Sequence, residues 1–320
     1  MRQPLHATLV VAIPMDPPNR LVPRLTHDGR GGLVLLTASG DGDVRRWDTG
    51  TGELLWHFSG ADLVSEVTVA CPPGSDPVVG VATDMGVERL NADSGLPIPD
   101  EDLADLDTIW DITSGLLPDG RAYIAGAGHV NGLVHIWDAA TARPLGPLTG
   151  HDRPVKTLAS ATLADGTPLL ASQDEAGVLR RWNAATAEAI GEPSRGPAGY
   201  NMRMGALTLP DGRVLLASLD IDGMLTRWDA ATGAQIGTVV ELGENAVAMT
   251  GASLGGKGRL MVSYLDGLIE VRDAVTGDVI AEFHGVNPSA LTRPDGSVLL
   301  AVGNPPSGEI RLFRLEPPSR

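Results

Sequence analysis

Apolar and polar positions alternate along this chain over short runs bounded by Gly, Pro, Asn and Asp, and no stretch sustains helical spacing. The pattern predicts strands throughout. One segment type recurs: an apolar run, a Gly-containing turn, an alternating run ending in Trp-Asp, then Ala-Ala-Thr-Gly or a close variant. Its clearest copies are 44–48, 134–138, 179–183 and 225–229, with Trp47, Trp137, Trp182 and Trp228 in the fourth place. Weaker copies at 87–91, 269–273 and 310–314 put Leu90, Arg272 and Phe313 there, so the steps between fourth places are 43, 47, 45, 46, 44 and 41 residues. Seven copies in phase are the mark of a repeat architecture.

Each unit divides into hairpins. Turns such as Asp28-Gly29, Pro118-Asp119-Gly120, Asp165-Gly166, Pro210-Asp211-Gly212 and Pro294-Asp295-Gly296 separate the first two strands, because Pro presets φ and Gly accepts a positive one. The next strand is apolar on both faces, as in 32–38, 214–218 and 298–302, and predicts cover on both sides. Second turns at Asp41-Gly42, Asn131-Gly132, Asp222-Gly223 and Asp266-Gly267 lead into the Trp-Asp strand; Thr-Gly pairs follow it. A four-stranded sheet of this size cannot cover its own faces, and radial packing of seven such sheets covers them. The expected fold is all-β: a single seven-bladed β-propeller of four-stranded antiparallel blades over 14–316. Residues 1–13 form a closing strand in the last blade, and 317–320 a tail.

The Trp-Asp endings, the Gly150-His151 pair, the Asp-Gly turns and the 45-residue step resemble the WD-repeat (WD40) β-propeller family over the whole chain. The resemblance implies a binding scaffold without chemistry of its own. It also implies that residues entering the innermost strand of each blade ring one mouth of a central channel. Carried over through blade four, that gives Arg153 and Lys156, then Ser65, Trp110, Met202 and Val247 in blades two, three, five and six; blades one and seven align too loosely. The family links His, Ser, Asp and Trp side chains within a blade. Here only His151 stands in the expected place, with Ala176 where the turn Asp belongs, so no full network is expected and blade cohesion falls to apolar packing and backbone ladders. His151 is read as a packed, hydrogen-bonded residue, and the four motif tryptophans as core between blades.

Composition narrows the functions. Forty Gly and 24 Pro with 42 % apolar residues describe a turn-rich globular chain, and no apolar run reaches a membrane-spanning length. The formal charge of −16 and a basic complement with only two lysines, Lys156 and Lys257, argue against nucleic acid and anionic membranes, although a local basic patch stays compatible with it. Cys71 is alone, which rules out an internal disulfide and a thiolate metal cage; it reads as a small buried apolar residue. The seven histidines lack metal-ligand spacing, and neither a nucleophile elbow nor a phosphate-cradling loop is present. No cofactor is expected. The short apolar stretch at the N-terminus is no export signal, so a cytoplasmic protein is expected, and a monomer; the preference for Arg over Lys suggests a bacterial source.

The segment from Asp93 to Asp111 holds seven carboxylates and no basic residue. It reads as a solvated loop, a dock for a basic partner or a Ca²⁺ site. Beside it, Trp110 stands outside the repeated Trp position and is the favoured anchor for a protein or peptide partner, with ordinary core packing the competing reading. Tyr200 and Met202, after the loop 193–199, add an adaptable patch. The alternative function is an enzyme or small-molecule binder at the mouth, with Asp107 or Asp111 as acid/base, Lys156 or Arg153 holding an anion and Trp110 stacking. A flat mouth with Trp110 exposed favours the scaffold; a deep pocket with paired titratable groups favours the alternative.

Overall fold

The structure is a computed structural model that describes residues 5–15, 21–60, 63–99, 108–128, 132–197, 201–304 and 307–317. Seven antiparallel sheets follow one another along the chain, each wound from the centre outward, and among the described residues there is no helix. Blade one is Leu21–His27, Leu33–Ser39, Asp43–Trp47 and Leu54–Ser59. Blade two is Val64–Ala70, Val78–Thr83 and Gly86–Asn91, and blade three Ile109–Leu116, Ala122–Gly128 and Val134–Asp138. In these two the fourth position is held by isolated bridges, Leu90 to Pro97 in blade two and Trp137 to Pro144 and Val134 to Leu148 in blade three. Blade four is Val155–Thr162, Pro168–Asp174 and Val178–Asn183, with two short outer pieces, Glu188–Ala189 and Ser194–Arg195. Blade five is Asn201–Thr208, Val214–Asp220, Met224–Asp229 and Val240–Glu241; blade six is Ala246–Leu254, Lys257–Tyr264, Leu268–Asp273 and Val279–His284.

Blade seven is composite. Val286–Thr292, Val298–Asn304 and Glu309–Glu316 come from the C-terminal end, and His6–Pro14 pairs with the last of them from His6 opposite Glu316 to Pro14 opposite Glu309. The N-terminal segment is therefore the outer strand of the last blade, as its apolar pattern predicts. Each innermost strand packs against those of both neighbours, and blade seven against blade one, so the ring is closed. The turn glycines sit where a positive φ is required. Gly223 has φ 75°, and a Cβ there would lie 2.0 Å from the Gly243 carbonyl oxygen.

Seven clusters of buried apolar side chains occupy the seven interfaces between neighbouring blades. Trp47 packs between blades seven and one, Trp137 between two and three, Trp182 between three and four, and Trp228 between four and five. Ile13 of the closing strand is wholly buried in the first of these. Every cluster holds at least eight buried residues. At roughly 1.5–3 kcal/mol per large side chain removed from water, packing outweighs any single hydrogen-bond network at about 1 kcal/mol per bond.

Two polar devices supplement the packing, and both correct the expectation from sequence. Blade four does carry the full linked set. Trp182 Nε1–H donates to Ser172 Oγ at 2.8 Å, Ser172 Oγ lies 2.7 Å from His151 Nε2, and His151 Nδ1 lies 2.9 Å from Asp174 Oδ2. Protonation at Nδ1 satisfies every member. The carboxylate ends the second strand, three residues before Gly177, instead of standing next to the turn glycine at Ala176. Its Oδ1 accepts the N–H groups of Ala176 and Val178, so it pins the turn as well.

The second device is an arginine just before the Trp place. Arg46 donates to the Ala92 carbonyl, Arg89 to that of Ala139, Arg181 to those of Ala230 and Ala231, and Arg227 to that of Val275. Each acceptor belongs to the next blade, so four interfaces are tied by a charge-assisted bond across the seam. Burial lowers the pKa of Arg181 and Arg227.

Removing residues 1–13 exposes the outer side of Glu309–Glu316 and empties the Ile13 site, and should lower the melting temperature by about 10 °C or more; an unchanged melt would refute the closure. Arg227→Ala strands the carbonyls of Val275 and Thr238, which it binds at 2.7 and 2.8 Å. Urea unfolding should show a loss of about 2–4 kcal/mol, against less than about 0.5 for Arg213→Ala on the surface. Equal losses would show that the seam bond does not stabilise the ring.

Candidate functional site

Strands that alternate in direction place three features at one end of the disc: the starts of the innermost strands, the turns between second and third strands, and the loops between blades. At that end the innermost strands carry bulges. Opposite a regular partner, the extra residue is Ser65 between Val64 and Glu66, Lys156 between Val155 and Thr157, Met202 between Asn201 and Arg203, and Val247 between Ala246 and Ala248. In blade three the irregularity spans Trp110 and Asp111. The positions aligned by the repeat are thus the places where the ladder opens. A bulge re-aims the side chains around it, and in blades two, five and six the next residue, Glu66, Arg203 or Ala248, lines the channel. Blade seven, unassigned from sequence, has its irregularity at Asn287 and Pro288, with Asn287 at φ 49°. Blade one pairs regularly from Leu21 onward.

Trp110 is 40 % exposed, and Lys156 Nζ lies 5.1 Å from its ring centroid. Lys156 is itself only 6 % exposed. Its charge therefore backs the ring, a contact worth roughly 0.5–2 kcal/mol, while Arg153 on the preceding loop is exposed. Ser65 and Val247 are half-buried. Asp107 and Tyr200 lie outside the described residues, as does the side chain of Met202. The acidic segment divides: 100–107 lies outside the described residues, Asp93 is a counter-ion, and Asp111 faces the channel. Asp93 accepts from Arg46 at 2.9 Å and Arg30 at 3.0 Å, and these guanidiniums, Arg46 first, hold its carboxyl below the usual range. That part of the segment ties blade one to blade two and is no free docking charge.

A channel of about 300 Å³ runs through the hub, lined by the innermost strands of all seven blades. Its charged lining is Arg24, Glu66, Asp111 and Arg203. Glu66 and Arg203 each follow a bulge by one residue in blades two and five, and Asp111 is the second residue of the blade-three irregularity, so all three stand one step beyond an aligned position. Arg203 Nη1 lies 2.9 Å from Glu66 Oε2, and both Asp111 oxygens accept backbone N–H groups, from Ile112 at 2.9 Å and from Leu158 of the next blade at 2.8 Å. Burial, then the negative charge of Glu66, pushes the Asp111 carboxyl above its ordinary value, against the opposing pull of Arg203 and the Leu158 N–H. Below this level, hydroxyls interlock neighbouring blades: Thr68 with Ser114 at 2.9 Å, Thr113 with Ser160 at 3.0 Å, and the Leu25 N–H donates to Ser289 Oγ at 2.9 Å.

The channel offers polar and charged groups of both signs, and among the described residues it brings together no nucleophile–base pair and no group of three metal-binding side chains. Cys71 is half-buried, its thiol pushed up to about 11 by burial and donating to the His27 carbonyl oxygen at 3.1 Å, which makes it an unreactive packing residue. Sequence reading places Arg203 in the adaptable patch of blade five and passes over Glu66 and Arg24. For Glu66 the available signal was its place one step beyond the aligned Ser65; Arg24 lies in blade one, where no position aligns.

Because Asp111 takes up its proton at higher pH in the fold than an ordinary carboxyl does, its protonated form favours folding. Its contribution is full below the unfolded pKa and is lost as pH rises through the raised folded value. Asp111→Asn removes this titration. The unfolding free energy of the wild type minus that of the variant should therefore fall as pH climbs from about 3 to about 8; a flat or rising difference would contradict the raised carboxyl.

No protein-family model matches the chain, and no curated protein matches it.

Proposed function

We propose that the protein is a non-catalytic WD-repeat scaffold of the cytoplasm, bacterial in origin and monomeric, that binds a protein or peptide at the mouth of its channel. The observation that carries this reading is the distribution of exposed apolar side chains. Leu63 and Trp110 at strand starts, and Met85, Ile221 and Leu265 in second-to-third turns, all stand exposed at the mouth end. Others are exposed elsewhere, Leu96, Leu116 and Val275 at the opposite end and Leu9, Val10, Leu54 and Leu55 on the rim, but the mouth holds the one exposed aromatic among them, the usual kind of anchor in a binding patch. Trp110, held upright over Lys156, is the anchor. A propeller is commonly an interaction scaffold, and among the described residues no helix is long and apolar enough to cross a membrane.

One observation favours a second reading. The channel is deep, and the grouping of Glu66, Asp111 and Arg203 at one level suits a small polar molecule bound in the hub, with Asp111 as a proton donor. The readings separate by which substitution abolishes binding.

Tagged wild type, Trp110→Ala and Leu265→Ser should be compared in affinity capture from the source cells. The scaffold reading expects a protein recovered by the wild type to fall at least fivefold with both variants, since a central aromatic anchor is worth about 1–2 kcal/mol or more. Undiminished recovery by both removes the mouth from the account.

A further inference from the structure

We propose that a groove on the outer part of blade four, at the same end as the mouth, is a binding site for a phosphate group. The groove has a volume of about 410 Å³, and its lining includes Gly150, Asp152, Arg153, Asp174, Arg180 and Arg195. It is built from the loop between blades three and four, the second-to-third turn of blade four, its third strand and its outer strand. The inference does not depend on what the mouth binds.

The guanidiniums carry it. Most other described arginines of this acidic chain are engaged, among them Arg213 with Asp211, Arg259 with Asp273, Arg272 with Glu270, and Arg181 and Arg227 with carbonyls, while Arg24, Arg143 and Arg293 stand apart from one another in different blades. Arg153, Arg180 and Arg195 make no hydrogen bond or ion pair among the described residues, yet all three line one cavity. With 40 carboxylates available to 24 basic side chains, three unpaired guanidiniums in one groove are the reverse of what the charge balance favours.

Two carboxylates, Asp152 and Asp174, face the three guanidiniums, so the groove keeps a net positive charge, and Asp174 is oriented by His151 and by the N–H groups of Ala176 and Val178. Arg180 is also held in place. Its Cζ lies 5.8 Å from the Trp182 ring centroid, and on Gly150 a Cβ would come within 3.0 Å of its Cζ and Nη1, so glycine lets the backbone close over the guanidinium. A guanidinium restrained this way loses little further entropy on binding, and its planar fork matches two oxygens of a phosphate.

Isothermal titration at constant ionic strength tests the site, with inorganic phosphate and with a phosphoserine peptide beside its unphosphorylated form. Saturable binding is expected for phosphate, weakened about tenfold or more by Arg180→Gln and by Arg195→Gln and unchanged by Arg213→Gln. A phosphopeptide that binds more tightly than inorganic phosphate assigns the site to a phosphorylated partner; equal affinity assigns it to the free anion. Arg195 is exposed, so its variant decides the matter even if Arg180→Gln fails to fold. No saturation with either probe, or binding that survives both substitutions, overturns the proposal.

Discussion

A blade of about 45 residues presents two apolar faces to water, and the rest of the structure depends on covering both. Each face is covered only by the next blade. The seven apolar clusters lie between sheets, and none lies within one alone. An open row would leave the outer faces of blades one and seven in water; the ring removes that cost by letting Ile13, Leu299 and Leu312 of blade seven meet Leu25, Leu35 and Trp47 of blade one. The closing strand from the other end of the chain makes blade seven complete.

Rigid closure is also what allows a polar hub. With stability lodged in the seams, the innermost strands are free to carry bulges and charges that would weaken an ordinary sheet. Glu66, Asp111 and Arg203 come from three blades, and Asp111 is fixed by the Leu158 N–H of a fourth. Such groups cost stability when buried, and they are tolerated where backbone donors and an opposite charge satisfy them. The same end of the disc presents Trp110 over Lys156 and, further out, the arginine groove, so one rigid face carries apolar, acidic and basic features side by side.

Much of this was legible in the chain. The phase of Trp47, Trp137, Trp182 and Trp228, with the Gly turns between them, defines strand order and blade number, because bulky aromatics and positive-φ glycines have few other uses at such spacing. The apolar stretch before Pro14 marks the closing strand because the last copy of the repeat ends after its third strand. What could not be read depends on tertiary direction. Arg46, Arg89, Arg181 and Arg227 occupy the alternating place that usually faces solvent, and only neighbouring blades reveal carbonyls within their reach. Asp174 was missed because its reach spans the turn, so adjacency to Gly177 was the wrong criterion. Aligning the repeat located the bulged positions, yet Glu66, Asp111 and Arg203, one step beyond them, become a cluster only once three blades meet.

Amide hydrogen exchange tests the central claim, that the seams make one cooperative ring, most directly. The second strands of the seven blades, from Leu33–Ser39 round to Val298–Asn304, should exchange through one opening with a common free energy, and His6–Pro14 should open with them. Protection that falls away blade by blade toward blades one and seven, with the N-terminal strand exchanging freely, would contradict the closed ring.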